Sequence, residues 1–299
     1  MMRMSAAIGA VALCSLAALV AQPDAPVTFD VVVEHSDGSF VDGLTRQDFI
    51  VTIDDRDVVV EACALDTAAV SVVVMFDITS SSPWPGLKPD HQSINDLLLA
   101  QFRATDRVRI ASFGRRITMS PEFTTDRTVA RRFLKDVLAP AAVERSGPSP
   151  IWDAVDAAIT TLEPEQGRRA VILITDGKST GNHKNRSDVE HRAAVLGIPV
   201  STIAVGPGAF PVKQTGDETA VVRPGLALEH LAATTGGLAV VMPDGNALPS
   251  PMTTVALALR QTYKLSVTTK LAPNRSYSVK IRSGDSSHRV RTRAWVRTS

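Results

Sequence analysis

Two carboxylates in this sequence follow apolar runs and stand beside residues that carry hydroxyl groups. Asp77 comes directly after SVVVMF, with Thr79 and Ser81 two and four positions further on, and Asp176 follows VILIT. Ligands of an open α/β sheet bind beyond the carboxyl ends of its strands, so neighbouring strands would bring these side chains together. Two adjacent carboxylates repel each other unless a cation joins them or they share a proton. Because every donor is an oxygen, a cation here is expected to be Mg²⁺, Mn²⁺ or Ca²⁺ rather than zinc.

The elements that must position these residues alternate between buried strands and helices. Continuously apolar runs predict strands covered on both faces, as in a parallel sheet, over 71–76, 108–113, 170–174, 200–205 and 238–242. Helical patterns lie between them, over 94–103, 127–137, 151–162, 188–196, 226–234 and 252–261. This order predicts a doubly wound, mostly parallel α/β domain over residues 67–261.

The two flanking segments have the alternating pattern of antiparallel strands with one wet face, over 27–34, 49–53, 58–63, 263–267, 277–281 and 290–296. Residues 22–66 hold eleven Asp or Glu against two Lys or Arg, a net charge of −9. Residues 262–299 hold nine Lys or Arg against one Asp, a net charge of +8. Because neither segment has enough strands to be stable alone, we expect one small antiparallel β-sandwich in which opposite charges meet. The alternative is two unconnected solvated faces.

Residues 1–21 have the pattern of a secretory signal peptide. Arg3 precedes the apolar stretch Ala6–Val20, which is too short as a helix to cross a hydrocarbon core of about 30 Å. Cleavage after Ala21 would place the protein outside the cell or in the periplasm or envelope, with no membrane span in the mature chain; the alternative is an uncleaved anchor. Cleavage leaves Cys63 as the single cysteine, which is expected to be buried and inert rather than paired between chains.

Composition excludes several functional classes. The chain has 299 residues, 44% of them hydrophobic and 21% charged, with a net charge of +1. It is too apolar and too balanced in charge for a disordered protein, and too neutral to bind nucleic acid through counterion release. The sequence contains no His-Glu-x-x-His helix, Gly-x-Ser-x-Gly elbow or phosphate loop, so we expect it not to be an enzyme.

The series Asp77-x-Thr79-x-Ser81 resembles the metal-ion-dependent adhesion site of von Willebrand factor type A domains, whose pattern is Asp-x-Ser-x-Ser. The later sequence TDG at 175–177 is similar to the family's Thr-Asp-Gly, and GPSPIWDA at 147–154 to the loop that supplies a threonine, with Ser149 at that position. Residues 106–113 and 231–237 also resemble segments of this family. The flanks at 37–49 and 263–293 resemble a narrower group, the type A-related proteins typical of acidobacteria.

The resemblance implies a protein-binding module in which Asp77, Thr79, Ser81, Ser149 and Asp176 hold a divalent cation, Mg²⁺ before Mn²⁺ or Ca²⁺. Two anionic ligands leave the cation with residual positive charge and an open position, which an Asp or Glu carboxylate of a partner protein would fill. Thr79 and Ser149 depart from the family's residues but keep the hydroxyl. Ser149 lacks the methyl that restricts a threonine rotamer, so it is expected to hold metal more loosely.

Two rival functions remain open. In the first, the chain is a structural or assembly protein with a vestigial site, and Asp77 only caps local backbone. In the second, it is a Mg²⁺-dependent hydrolase with Asp77 as the nucleophile, although Thr79 stands where such enzymes usually carry a second aspartate.

Several other features of the sequence have an expected role. The insert 82–92 would rim or cover the site, and His91 and His183 are expected to be solvated loop residues. Trp152 is predicted to pack in the core. Basic residues alternate along 289–293, where a polyanion site is conceivable, but pairing with the acidic leader or plain solvation is favoured.

Overall fold

The computed structural model describes residues 25–79, 81, 99–137, 147–206, 224–242 and 249–297. Its strands are β1 (Ala25–Glu34), β2 (Phe49–Ile53), β3 (Arg56–Val58), β4 (Val60–Leu65), β5 (Val70–Asp77), β6 (Arg107–Phe113), β7 (Ile117–Met119), β8 (Arg168–Thr175), β9 (Val200–Val205), β10 (Ala239–Met242), β11 (Thr262–Thr269), β12 (Ser276–Ser283), β13 (Arg289–Arg291) and β14 (Trp295–Arg297). Its helices are α1 (Arg127–Val137), α2 (Ile151–Leu162), α3 (Arg186–Leu196), α4 (Pro224–Thr235) and α5 (Pro249–Arg260).

The central sheet has the strand order β10-β9-β8-β5-β6-β7, and its strands are parallel except β7. Strand β5 is buried along its whole length, as its unbroken apolar sequence requires. Val73 and Met75 lie in one apolar cluster with α2, whereas Val72 and Val74 lie in another with α1 and α5. Helices therefore cover both faces, and the predicted doubly wound α/β architecture is confirmed.

The predicted strands differ from the observed ones mainly at the edges and the flanks. The strand expected over 58–63 is wrong as one element, because it is divided at Val59 between β3 and β4, which belong to different sheets. Edge strand β7 was not anticipated, because three residues are too few to establish a period. The strand expected over 290–296 is wrong as one element: it is divided into β13 and β14, which belong to different sheets. Between them, Ala294 N–H donates to the carbonyl of Thr234 in the α/β domain (2.8 Å), so docking interrupts the strand. Half of the helix expected over 94–103 lies outside the described residues; 99–100 are helical, but the helix does not continue over 101–103 as predicted.

The two ends of the chain form one sandwich, as expected. Its sheets have the orders β13-β1-β11-β4 and β14-β12-β2-β3, so each sheet contains strands from both segments. Phe29 pairs with Leu265 in the first sheet and Val51 with Ile281 in the second, and all four side chains share one buried cluster. Burial of this shared apolar face, rather than the strength of either segment, stabilises the sandwich.

Ion pairs join the acidic and basic segments. Glu34 lies 2.8 Å from Arg291, and Asp66 lies 2.7 Å from Lys264; both carboxylates are buried. Two further pairs, at 2.6 and 3.3 Å, lie on exposed surface, where solvent weakens them. The expected meeting of opposite charges therefore occurs, and the buried pairs matter most for alignment.

Cys63 is partly rather than fully buried, and its Sγ lies 3.7 Å from the carbonyl oxygen of Leu44. Burial, with a smaller contribution from Asp48, raises the pKa of this thiol, so less of it is ionised at neutral pH. Within the described ranges, none of the helices is both apolar enough and long enough to span a bilayer.

Candidate metal centre

Asp77 ends β5 and is fully buried, with both carboxylate oxygens engaged. Its Oδ1 accepts hydrogen bonds from the backbone N–H of Thr79 (3.0 Å) and from its hydroxyl (2.7 Å). Its Oδ2 accepts hydrogen bonds from the hydroxyls of Ser149 (2.9 Å) and Thr175 (2.7 Å). Three hydroxyl groups from three separate parts of the chain therefore converge on one carboxylate.

Strand register explains this convergence. Strands β5 and β8 are parallel neighbours, and Phe76 pairs with Ile174. Asp77 and Thr175 therefore stand at the same level of the sheet, and Asp176 follows one position beyond. The neighbouring strands predicted from the sequence are present, and they bring both carboxylate-bearing loops to one edge.

The loop before α2 is held in place by the loop after β8. Ser149 N–H donates to the hydroxyl of Thr180 (2.9 Å), and Thr180 N–H donates to the carbonyl of Ser149 (2.9 Å). Gly181 has a φ of +68°, and a Cβ there would lie 2.5 Å from Cβ of Pro148. Only glycine allows the loops to come this close, and their contact fixes where the Ser149 hydroxyl points.

Asp176 is 3% exposed and only partly satisfied. Its Oδ1 accepts a hydrogen bond from Lys178 N–H (3.0 Å). Its Oδ2 has no hydrogen-bond donor among the described residues, and the Lys178 Nζ lies 3.4 Å away. A buried carboxylate oxygen without a donor is unfavourable, so this atom is the one that a cation would stabilise most.

Two opposing effects act on the pKa of Asp77. Burial raises the pKa of Asp77, whereas hydrogen bonds from Thr175, Thr79 and Ser149 oppose that shift. A divalent cation would favour the ionised form in the same way as those donors, but more strongly.

Ser81 lies at the rim of this arrangement. It is exposed, and its Oγ is 3.4 Å from the Thr79 hydroxyl. Ser80 and the insert at 82–92, including His91, lie outside the described residues. His183 is exposed on the neighbouring loop, as expected, and its Nδ1 lies 2.9 Å from Asp153. Trp152 is buried in the core, also as expected.

Thr175 belongs to the TDG motif but was not among the predicted site residues. Its hydroxyl makes one of the two shortest hydrogen bonds to Asp77 and also accepts a hydrogen bond from Gly177 N–H (3.1 Å). The available signal was its position: it is the last strand residue, level with Asp77 on the neighbouring strand.

The donor set fits a hard divalent cation. It consists of two carboxylates and neutral hydroxyls, and one carboxylate oxygen is buried without a donor. Within the described part of the chain, no three His, Cys, Asp or Glu side chains cluster as a metal site. A cation here would therefore depend on hydroxyl and water oxygens for most of its coordination, as Mg²⁺ does.

Comparison with known proteins gives one family and many related folds. The family model of the von Willebrand factor type A domain matches residues 72–253. No curated protein matches the chain significantly. A solved structure of the conserved hypothetical protein BatB from Bacteroides thetaiotaomicron is 23% identical, with 64% of this chain and 99% of that chain covered and a TM-score of 0.49.

Two further solved structures have lower identity. Proximal thread matrix protein 1 from the mussel byssus, with a zinc-occupied MIDAS motif, is 19% identical, with 70% of this chain and 50% of that chain covered and a TM-score of 0.48. A von Willebrand factor type A protein from Catenulispora acidiphila is 10% identical, with 92% of this chain and 74% of that chain covered and a TM-score of 0.45.

Proposed function

Because the chain belongs to the von Willebrand factor type A family, whose model matches more than half of it, we propose that it captures a partner protein through a divalent cation. Domains of this family mediate protein–protein interactions and typically bind a divalent cation at the adhesion site. The observation that carries the proposal is the buried Asp176 Oδ2, which has no donor in the described part of the chain and lies at the same sheet edge as the hydroxyl-bound Asp77.

Each site residue has a distinct part in this proposal. Asp77, Thr79, Ser81, Ser149 and Asp176 hold the cation directly or through water. The cation, Mg²⁺ before Mn²⁺ or Ca²⁺, supplies residual positive charge and an open coordination position when bound. Thr175 orients Asp77 by its hydrogen bond, and the contact between Gly181 and Pro148 holds the Ser149 loop. An Asp or Glu carboxylate of the partner is the group that this charge attracts.

The proposed act is binding rather than turnover. All four hydrogen bonds to Asp77 engage its two oxygens inside the protein, which disfavours Asp77 as a nucleophile that attacks an external substrate. We further propose that residues 1–21 direct the chain to the periplasm, envelope or exterior. Mass spectrometry of the purified protein tests this, because an N-terminus at Gln22 is expected and an intact leader would contradict export by cleavage.

One observation favours the rival structural role. The hydrogen bonds to Asp77 satisfy it without a cation, so the network is equally suited to brace the sheet edge in a vestigial site. The two functions differ at Asp176, since a purely structural network makes no use of its Oδ2.

Titration calorimetry of the full chain with MgCl₂, MnCl₂ and CaCl₂ tests the metal site. We expect saturable binding that weakens at least tenfold in Asp176→Asn and stays unchanged in Asp55→Asn, an exposed control on the sandwich. Absence of heat with all three salts would end the metal proposal and favour the structural role. Partner capture from an envelope extract, compared with and without EDTA, then tests whether the cation is needed for adhesion.

A further inference from the structure

A cavity of about 300 Å³ lies at the opposite end of the central sheet from Asp77. Val70, at the start of β5, lines it, whereas Asp77 ends the same strand, so about 23 Å separates the two regions at roughly 3.3 Å per residue. Both the α/β domain and the sandwich contribute walls. Small-molecule sites begin at about this size and occur preferentially between domains.

Cationic side chains dominate the walls. The five that line the cavity are Arg168, Arg169, Lys264, Arg291 and Arg293. Among the described lining residues Asp30 is the one carboxylate, and Asp66 and Glu34 lie behind the wall, where they pair with Lys264 and Arg291. Five cations against these three carboxylates leave an excess of two positive charges, which the carboxylate of Glu163, near Arg169 but outside ion-pair distance, offsets only in part.

Arg169 and Arg293 account for the excess. Neither has a carboxylate within ion-pair distance in the part of the chain that the structure describes. Instead, Arg169 Nη2 donates to the carbonyl of Leu196 (2.6 Å), and Arg293 donates to the carbonyls of Thr28 (2.8 Å) and Val195 (3.2 Å). Main-chain oxygens thus fix both guanidinium groups without neutralising them, and each retains unused N–H donors.

Burial makes the charged form of the wall arginines less favourable, and neighbouring carboxylates offset this only in part. Burial lowers the pKa of Arg293 to about 10; Asp30 opposes this shift and Arg169 adds to it. Burial also lowers the pKa of Arg169. In addition, Nε of the buried Arg168 has no hydrogen-bond acceptor among the described residues, although it lies 3.8 Å from Asp66 Oδ2. An anion in the cavity would stabilise all three guanidinium groups.

Two glycines make room for Arg293. Gly197 has a φ of +63°, and a Cβ there would lie 3.0 Å from Nη1 of Arg293. Gly236 has a φ of +84°, and a Cβ there would lie 2.8 Å from the backbone nitrogen of Arg293. Only glycine fits these backbone conformations beside Arg293. The two glycines therefore allow Arg293 to lie close against the backbone at the cavity wall.

We propose that this cavity binds a small dianion, carrying either a phosphate group or two carboxylates, with Arg169 and Arg293 as its principal ligands. The planar guanidinium fork matches both groups, because it donates two parallel hydrogen bonds to adjacent oxygens. The site is independent of the proposed metal site, with which it shares no residue.

Titration calorimetry of the full chain with sodium phosphate, and separately with sodium succinate, tests this inference in buffer cleared of divalent metal by a chelating resin and at constant ionic strength set by NaCl. We expect saturable binding of at least one probe to the unmodified chain and to Arg282→Gln, whose arginine is exposed on β12. We expect at least tenfold weaker binding in Arg169→Gln. Preference for phosphate or for succinate identifies which dianion class the cavity takes.

Arg293 also packs over the ring of Phe29, at 5.1 Å from its centroid, so its removal can disturb folding. Arg293→Lys keeps the charge and loses the fork; we expect weaker binding with an unchanged circular dichroism spectrum. A phosphate-induced rise in melting temperature that persists in Arg169→Gln would overturn the assignment, as would absence of binding for both probes. Because divalent metal is removed before these titrations, failure here leaves the metal proposal intact.

Discussion

The two ends of the central sheet carry opposite chemistry on the same strands. At the carboxyl end, Asp77 is satisfied by the hydroxyl groups of Thr175, at the end of β8, and of Ser149, in the loop before α2. At the amino end, Arg169 and Arg293 come from different domains and are held by main-chain carbonyls. The first arrangement lies entirely within the α/β domain, whereas the second exists only because the sandwich docks beneath it. The length of one strand therefore separates the oxygen-rich edge around Asp77 from the cavity lined by Arg169 and Arg293.

The largest expected effect is a separation of the two binding activities. Asp176→Asn should weaken Mg²⁺ binding at least tenfold and leave phosphate binding unchanged, and Arg169→Gln should do the reverse. The two side chains lie near opposite ends of the sheet, so the double variant should show both losses additively, within about 0.5 kcal/mol. Calorimetry of the four proteins measures this, and a coupling energy above about 1 kcal/mol would show that the ends communicate.

The second prediction compares two glycines, one near each end of the central sheet. In Gly181→Ala and in Gly236→Ala, the new alanine must adopt a positive φ, and its Cβ lies too close to neighbouring atoms. Each substitution should therefore lower the free energy of unfolding by about 1–3 kcal/mol. The first should weaken only Mg²⁺ binding and the second only phosphate binding.

Urea denaturation and calorimetry measure both effects of these glycine variants. Gly38→Ala is the control, because it also has a positive φ but nothing within 4 Å of the added Cβ. If the control loses as much stability as the other two, backbone conformation alone explains them and the contacts do not matter.

The third prediction concerns Asp30, the carboxylate in the cationic cavity. Burial raises its pKa, against the opposing effects of Arg168, Lys264 and Arg293; Asp66 adds to the rise. Because the folded state binds this proton more tightly than the unfolded chain, its contribution to stability is fully present below about pH 3.8 and is lost as the pH rises through the folded-state pKa. Protonation also makes the cavity more positive.

Sulfate is the suitable probe for this effect, since it stays a dianion at these pH values. Sulfate affinity should rise as the pH falls toward the pKa of Asp30, and Asp30→Asn should raise it about fivefold at pH 7, which corresponds to about 1 kcal/mol. Calorimetry at several pH values measures both changes. An equal pH dependence in Asp30→Asn would assign the titration to another group.

The smallest expected effect is at the metal edge. Lys178 Nζ lies 3.4 Å from Asp176 Oδ2, where it competes with a cation. Because the side chain is more than half exposed, Lys178→Ala should tighten Mg²⁺ binding only about two- to threefold. Lys184→Ala is the matched control, and weaker binding in Lys178→Ala would mean that the lysine supports the site instead.

The sequence allowed prediction of the parts that depend on local pattern and strand order. Apolar runs indicated the parallel strands, and the motif around Asp77 indicated which loops meet at their ends, because parallel strands end at the same level. The close contact between Gly181 and Pro148 was not predictable, since it depends on loop conformation. The cavity was not predictable either, because Arg293 reaches Arg169 only through domain docking.

The arginines of the last segment illustrate this limit. Their alternation predicted one shared strand face over 289–293, but β13 ends at Arg291 and the chain then leaves the sheet. Arg291 pairs with Glu34 of the acidic leader, as favoured, whereas Arg293 lines the cavity. Alternation in sequence shows which side chains would share a face, but it does not show where a neighbouring domain breaks the strand.

The interleaving of both chain ends in each sandwich sheet has a consequence for biosynthesis. Strands β1 and β2 emerge first from the ribosome, yet their partners β11 and β12 are made only after the whole α/β domain. Such distant pairing is slow and leaves unpaired strand edges exposed in the nascent chain. A chain that terminates before Thr262 would therefore keep its α/β helices but carry adhesive, unclosed N-terminal strands.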